Sequence, residues 1–121
     1  MHNFSDVVSA FADLPTVIGA LLVDGDGLAL ASSLGDKSKS EALSPVVHAL
    51  LNDAFKRLSE MGETANQIIF VQDSRIIIAQ PVHDVILVVY SEKTGLDLLQ
   101  SRFSNAVSIL KRITEPDFSN T

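Results

Sequence analysis

With 121 residues, a net charge of −6, 46% hydrophobic residues and no cysteine, the chain can form one globular domain without disulfides, thiolate zinc sites or cysteine nucleophiles. Its nine scattered lysines and arginines disfavour nucleic acid and an anionic membrane as partners. No apolar run approaches the ~18 residues of a membrane span, and the first residues lack a signal-peptide pattern. We therefore expect a single cytoplasmic domain over residues 1–121, without membrane insertion.

The first elements are a short helix and a hairpin. Asn3 is a suitable cap for a helix that ends by Leu14 and Pro15, with apolar residues at helical spacing: Phe4, Val7, Val8 and Phe11. The continuous apolar run 17–23 predicts a strand covered on both faces. Asp24 to Gly27 favours a turn, because glycine accepts positive φ and aspartate forms Asx turns. Residues 28–33 are the expected return strand.

Residues 38–62 predict the main helix, which would end before Gly62. One stripe of this helix is apolar and is expected to face the sheet: Leu43, Val47, Leu50, Ala54, Leu58 and Met61. Ser38 and Glu41 have capping-box spacing, but Pro45 would break a helix already under way. We expect Ser44 to act as the cap, with Pro45 in the first turn and a loose extra turn before it.

Three apolar runs follow, at 68–71, 76–79 and 85–90, and the gaps between them are too short for parallel crossovers. They predict an antiparallel meander. Because the runs do not alternate with polar residues, helices should cover both faces of the sheet. With the first hairpin, the fold class is α/β in the α+β sense: a five-stranded antiparallel sheet sandwiched between helices.

A last helix is predicted from about Gly95 to Ile113, with Thr94 as its cap and Asp97 in its first turn. Its expected inward residues are apolar: Leu96, Leu99, Phe103, Val107, Leu110 and Ile113. The domain core would cover residues 4–113, and residues 114–121 would be a frayed polar tail.

The sequence contains no pattern that predicts catalysis, a cofactor or a bound metal. Asp24 and Asp26 lack the later ligands of a calcium loop. The three histidines, at positions 2, 48 and 83, have no partner at metal-binding spacing. Arg57 has a helical partner in Asp53, which favours a solvated pair over an arginine finger. We expect no catalytic residues, no cofactor and no enzyme activity.

Two features suggest an interface. Residues 42–52 of the main helix carry no charge, although a helix with one wet side normally does. The first meander strand is apolar and lacks the proline or lysine that protects an edge. A partner chain could cover both; the alternatives are chance composition for the helix and an edge covered within the monomer for the strand.

The segment Gly19 to Ser33, followed by a helix, three hairpin strands and a closing helix, resembles the Roadblock/dynein light-chain family from about Val7 to Ile113. The resemblance implies dimerisation through the long central helix and the first meander strand. It also implies a role as scaffold or regulator of Ras-like small GTPases, or as a subunit of dynein or lysosomal signalling assemblies. The short acidic chain looks most similar to the prokaryotic branch, which includes gliding-motility GTPase-activating proteins.

In that branch, the resemblance implies a homodimer that grips the GTPase and positions the GTPase's own catalytic groups. The expected partners are therefore a second copy of the chain and a Ras-like small GTPase. Candidate GTPase contacts are His48, Asn52, Lys56 and Ser59, and candidate dimer contacts are Val46, Ala49, Ile69 and Val71. The alternatives are a small-molecule-sensing domain, which would require a cavity beside the sheet, and an enzyme, which no sequence feature supports.

Overall fold

The computed structural model describes residues 3–35 and 37–115, so His2 and the tail from residue 116 lie outside the described residues. The described part contains five strands and three helices. In chain order they are α1 (Phe4–Ser9), β1 (Val17–Val23), β2 (Ala29–Ser32), α2 (Lys37–Glu60), β3 (Ile68–Val71), β4 (Arg75–Val82), β5 (Val85–Glu92) and α3 (Leu96–Thr114).

The strands form one sheet in the order β2-β1-β5-β4-β3, and every neighbouring pair is antiparallel. The meander predicted from the three closely spaced apolar runs is confirmed. Strand β5 lies at the centre, between β1 and β4, which explains why its run from Val85 to Val89 is buried. The two edges of the sheet are β2 and β3.

Helices cover both faces of the sheet, as the non-alternating strands predicted. Helices α1 and α3 pack on one face, where the rings of Phe11 and Phe103 lie 6.3 Å apart between centroids above Leu22, Ile78 and Leu87. Helix α2 packs on the other face through Val47 and Leu51, over Leu21, Ile77 and Val88. The three inner strands, β1, β4 and β5, thus divide their side chains between the two cores.

Helix α1 begins with the cap that the sequence predicted. Asn3 Oδ1 accepts from the Asp6 amide at 3.0 Å, and Asp6 Oδ2 accepts from the Asn3 amide at 2.9 Å, which is a complete capping box. Arg102 of α3 donates to the Ala10 carbonyl and to the Asp13 carboxylate, and so ties the end of α1 to α3. This hydrogen bond from Arg102 lowers the pKa of Asp13.

The expected cap of α2 is wrong, although the predicted first residue, 38, is within one residue of the observed start. The helix begins at Lys37 and continues through Pro45, so Ser44 is not a cap. Ser44 is buried, and its hydroxyl donates to the Ser40 carbonyl at 2.6 Å, one turn before it. Ser40 in turn shares a 2.7 Å hydrogen bond with Ser32 of β2. Tertiary contacts with the edge strand thus hold the turn that precedes the proline.

The apolar stripe of α2 is also only partly right. Leu50 and Met61 are 49% and 74% exposed, whereas Leu51, absent from the expected stripe, is 1% exposed. The period of 3.6 residues places Leu51 one turn after Val47, directly over the sheet, and rotates Leu50 away from it. Met61 lies beyond the last helical residue, Glu60.

Two expectations at the start of α3 are wrong as well. The cap is Gly95, in the left-handed region at φ 73°, and no side chain caps the helix, so Thr94 does not. Leu96 is exposed, whereas Leu99, Phe103, Val107 and Leu110 face inward as predicted and Ile113 is half-buried. Asp97 does lie in the first turn. Strand β2 is shorter than expected and excludes Leu28 and Ser33.

Candidate protein-interaction site

The outer side of α2 is divided into two flanks. The apolar flank consists of Ala42, Val46, Ala49 and Leu50, which recur at helical spacing and are all exposed. The polar flank consists of His48, Asn52, Lys56 and Ser59, of which only His48 is half-buried. Between the flanks, on the inner side, Val47 and Leu51 are buried against the sheet. The uncharged segment 42–52 thus exposes apolar side chains.

The apolar flank contains two large hydrophobic residues in contact with solvent. Val46 is 52% exposed and Leu50 is 49% exposed, one turn apart on the same helix. A helix that already packs its opposite side on a sheet does not need apolar residues there for its own core. Such an unpartnered apolar surface is typical of a protein–protein contact.

Strand β3 is an edge strand, and its side chains alternate between the two faces. Ile68 and Phe70 pack with the α2 core, so Ile69 and Val71 lie on the face of α1 and α3, where both are exposed. The four candidate dimer residues therefore lie on opposite faces, with Val46 and Ala49 on one side of the sheet. A single interface that includes α2 and β3 must use the backbone edge of β3.

The backbone groups at this edge can be assigned from the pairing with β4. The Gln72 amide donates to the Arg75 carbonyl at 2.8 Å, which places the backbone groups of Gln72, and by alternation those of Phe70, toward β4. The N–H and C=O groups of Ile69 and Val71 therefore point outward from the edge.

His48 on the polar flank contacts the turn between β1 and β2. Its Nε2 lies 2.8 Å from the Gly25 carbonyl oxygen, and Asn52 Nδ2 lies 3.3 Å from the same nitrogen. Because a carbonyl can only accept, the bond to Gly25 requires a proton on Nε2. The turn itself is held by Asp24 Oδ1, which accepts from the amides of Asp26 and Leu28.

Asp24 is therefore occupied by a structural Asx turn, in which Gly27 takes a positive φ of 84°. Within the described part of the chain, no group of three or more potential metal ligands occurs. His83 bonds Thr114 through Nδ1 at 2.7 Å, far along the chain from His48. Across residues 3–35 and 37–115, no helix has both the length and the apolar character needed to cross a membrane.

Arg57 forms the helical ion pair that its spacing predicts. Its Nε donates to both carboxylate oxygens of Asp53, at 3.1 and 3.0 Å, and both side chains are largely exposed. Such pairs contribute a few tenths of a kcal/mol. The pair lies at the C-terminal end of the apolar flank, and Asp53 is the first charged residue after the uncharged segment 42–52.

No pattern in the sequence indicated a groove beside α2. This α2 groove is a cavity of about 320 Å³ between the N-terminal half of the helix and the sheet, lined by Ile18, Leu34, Lys39, Ala42, Leu43, Val46, Arg75 and Tyr90. Its residues come from five separate parts of the chain, so no local pattern could have predicted it. The side chains that line it are mostly apolar, with two cations.

A five-stranded antiparallel sheet, with a long half-exposed helix on one face and two helices on the other, is the α+β architecture of the Roadblock domain. The family model described as Roadblock/LC7 domain matches residues 4–91, and the chain belongs to this family. The resemblance inferred from the first hairpin and the meander is thus confirmed. No curated protein shows significant sequence similarity to the chain.

Several solved structures share this fold. A Roadblock/LC7 domain from Streptomyces avermitilis has a TM-score of 0.84 and 14% identity, covering 95% of this chain and 100% of its own. Myxococcus xanthus MglB has a TM-score of 0.81 and 20% identity, and the match covers 94% of this chain and 98% of MglB. A gliding protein, MglB from Thermus thermophilus, has a TM-score of 0.78 and 16% identity, and the match covers 95% of this chain and 94% of that protein.

Proposed function

We propose that this protein is a homodimeric scaffold and regulator that binds a Ras-like small GTPase and modulates its GTP hydrolysis without supplying catalytic groups. The observation that carries the proposal is the apolar flank of α2. Val46 and Leu50 expose about half of their surface on a helix whose opposite side is already buried. Covering that flank with a protein surface removes apolar area from water and stabilises the complex.

The second copy is the partner proposed for the apolar flank and for the edge of β3. Two β3 strands related by a two-fold axis would pair through the outward backbone groups of Ile69 and Val71 and continue the sheet across the dimer. The same axis would bring the two α2 helices together on one face through Val46 and Ala49. One interface would thereby cover the apolar helix flank and the unpaired strand edge.

The GTPase is proposed to contact the polar flank, which a dimer built on the apolar flank leaves open. Asn52, Lys56 and Ser59 are exposed there, while His48 is partly committed to the Gly25 carbonyl. Arg57 is already bonded to Asp53, so it is poorly placed to enter a partner's active site. The proposed effect on hydrolysis therefore comes from holding the GTPase's own groups in place.

The similarity to MglB supports the proposed branch of the family. Three of the similar structures carry that name, and one of them is described as a gliding protein. Their identity to this chain is 20% or less, so the likeness concerns the fold, and the GTPase partner is inferred from the prokaryotic branch that the sequence resembles.

The test uses a Ras-like GTPase encoded beside this protein, purified and loaded with GDP or with a nonhydrolysable GTP analogue. We expect co-elution in size-exclusion chromatography, with a preference between the two nucleotide states. Lys56→Glu should weaken binding, whereas the matched charge reversal Lys111→Glu, at an exposed position of α3, should not. Absence of binding in both nucleotide states, with the GTPase shown to be folded and loaded, would refute the proposal.

A further inference from the structure

The α2 groove has the size of a small-molecule site. Its volume of about 320 Å³ lies near the lower end of the range of roughly 300–1,000 Å³ that is usual for ligand pockets. Leu34 and Leu43 are half-buried in its wall, and Tyr90 forms part of the sheet side. The Tyr90 hydroxyl donates to Gln72 Oε1 at 3.3 Å, which holds the ring in place.

One wall of the groove depends on the close packing of Leu34 against β1. Gly19 is buried, and a Cβ at this position would lie 2.5 Å from Leu34 Cδ2. The missing side chain of Gly19 therefore lets Leu34 lie directly on the strand, between β1 and the start of α2. This packing on Gly19 holds the Leu34 wall of the groove against β1.

Two cations, Lys39 and Arg75, line an otherwise apolar groove. Among the described residues, no carboxylate lies within ion-pair distance of Lys39 or Arg75, whereas Arg57 pairs with Asp53 and Arg102 with Asp13. Arg75 lies over the Tyr90 ring, with its Cζ 5.7 Å from the centroid. The chain as a whole is acidic, with fifteen acidic residues against nine basic ones. A groove with two cations that form no ion pair with a described carboxylate therefore differs in charge from the rest of the chain.

Glu92 is an acidic neighbour of Arg75, because the two residues lie opposite each other on the β4–β5 pair. These two side chains do not form an ion pair. The residues that line the groove include two cations and no acidic residue, so the lining itself is positively charged.

From this combination we infer that the α2 groove binds a small amphiphilic anion, with an apolar chain or ring that ends in a carboxylate. The apolar part would lie along Leu34, Leu43 and Val46, and the carboxylate would accept charge-assisted hydrogen bonds from Lys39 and Arg75. The inference goes beyond GTPase regulation. Because Val46 belongs to both the groove and the proposed dimer surface, ligand binding and dimerisation would be coupled.

Tyr90 provides a direct signal for the test, since it is the chain's single tyrosine and the chain has no tryptophan. The full-length protein is titrated with decanoate, with decanol as a neutral probe of similar shape, and with inorganic phosphate, all below micelle-forming concentrations. We expect decanoate to change Tyr90 emission in a saturable way and to bind about a hundredfold more tightly than decanol, as two charge-assisted bonds would provide. Phosphate should have no effect.

Variants separate the two parts of the recognition. Lys39→Gln and Arg75→Gln should each weaken decanoate binding about tenfold and leave decanol unchanged. The controls Lys111→Gln and Arg112→Gln, at exposed positions on α3, should bind decanoate like the wild type. Calorimetry accompanies the emission measurement, because removing Arg75 from the Tyr90 ring alters emission by itself. Ala42→Phe, at an exposed position lining the groove, should fill it and abolish binding.

Several results would overturn the inference. Equal affinity for decanoate and decanol would remove the role of the cations, and unchanged decanoate binding in both glutamine variants would do the same. If Tyr90 emission instead responds to dilution of the protein and not to either amphiphile, the groove is occupied by a second copy. A failed GTPase-binding experiment would leave these titrations unaffected, so the two proposals fail separately.

Discussion

His48 Nε2 lies 2.8 Å from the Gly25 carbonyl oxygen, so the middle of α2 is bonded to the turn between β1 and β2. Gly27, in the same turn, lies beside His48, and a Cβ there would be in van der Waals contact with the His48 side chain at 3.6 Å. The long helix is therefore held in register with the first hairpin at its polar flank. This leaves the apolar flank on the side that faces Tyr90 and Arg75.

The first prediction follows from this contact. His48→Leu removes the bond to Gly25 and should lower the free energy of unfolding by about 1 kcal/mol. It should also speed hydrogen exchange at the Leu28 amide, which the neighbouring Asp24 side chain holds within the turn. Chemical denaturation and amide exchange measure the two effects. Asn52→Leu, on the same flank, is the control, and equal effects in both variants would argue against a specific role for the His48 contact.

The second prediction concerns the apolar flank. Ala49→Glu places a charge among the exposed apolar residues of α2 and should convert the proposed dimer into monomers, because a carboxylate buried in an apolar interface without a partner is costly. Sedimentation measures the mass. Ser108→Glu, at an exposed position of α3, should leave the mass unchanged. Identical masses for Ala49→Glu and the wild type would remove the main support for the dimer.

The third prediction tests the edge of β3 through its backbone. Val71→Pro removes an outward N–H group without breaking the ladder to β4, since proline is tolerated at sheet edges. We expect weaker dimerisation, seen as an increased dissociation constant in sedimentation. Val71→Ala keeps the N–H group and loses only side-chain atoms, so it should dissociate less readily than the proline variant. The opposite order would place the dimer contact on the side chain and not on the strand edge.

The fourth prediction concerns Gly19. A methyl group at this position would lie 2.5 Å from Leu34 Cδ2 and 3.1 Å from Leu34 Cα, so Gly19→Ala should destabilise the fold by about 1–3 kcal/mol. Gly35→Ala is the matched control, because no described residue other than its chain neighbours has an atom within 4 Å of its added Cβ. Urea unfolding of both variants gives the comparison. A Gly19→Ala protein as stable as the Gly35→Ala protein would show that Leu34 moves freely away from β1.

The fifth prediction is a pH dependence at the α1–α3 contact. The Arg102 hydrogen bond lowers the pKa of Asp13 below its ordinary value of 3.8, so the ionised form is favoured in the folded protein. The resulting stabilisation is present above pH 3.8 and is lost as the pH falls through the depressed folded pKa. Asp13→Asn should therefore lower the melting temperature at neutral pH and have a shrinking effect in acid.

Thermal unfolding of wild type and Asp13→Asn across the acid range measures this difference. The effect should be small, because the pair lies at the surface. Glu63→Gln removes an exposed carboxylate that forms no ion pair with another described residue, and it should show no such change. A difference that stays constant down to the lowest pH would mean that the ionised form of Asp13 is not what holds the contact.

Local patterns in the sequence predict the architecture of the domain. Runs at 68–71, 76–79 and 85–90 are separated by gaps that permit only hairpins, and their continuous apolar character requires cover on both faces. The capping box at Asn3 and Asp6 is likewise a contact between near neighbours in the chain. These features depend on interactions within a few residues, where steric limits and hydrogen bonding allow few backbone conformations.

The predictions that are wrong concern features that depend on contacts between distant segments of the chain. Helix α2 passes through Pro45 because its first turns are bonded to β2 through Ser32 and Ser40, and no local rule contains that contact. Leu50 and Leu51 are neighbours in sequence, but only the position of the sheet decides which of them is buried. Similarly, the placement of Ile69 and Val71 on the face opposite Val46 depends on which face of the sheet α2 occupies.

Sequence alone determined the five antiparallel strands, the helices on both faces and the uncharged segment of α2, because periodicity and loop length act over short distances. Only the tertiary structure decided the α2 groove, in which Lys39 and Arg75 meet Leu34 and Tyr90 from four separate parts of the chain. The physical reason is that packing of the sheet against α2 brings these side chains together, and the local pattern around each residue contains no information about its distant neighbours.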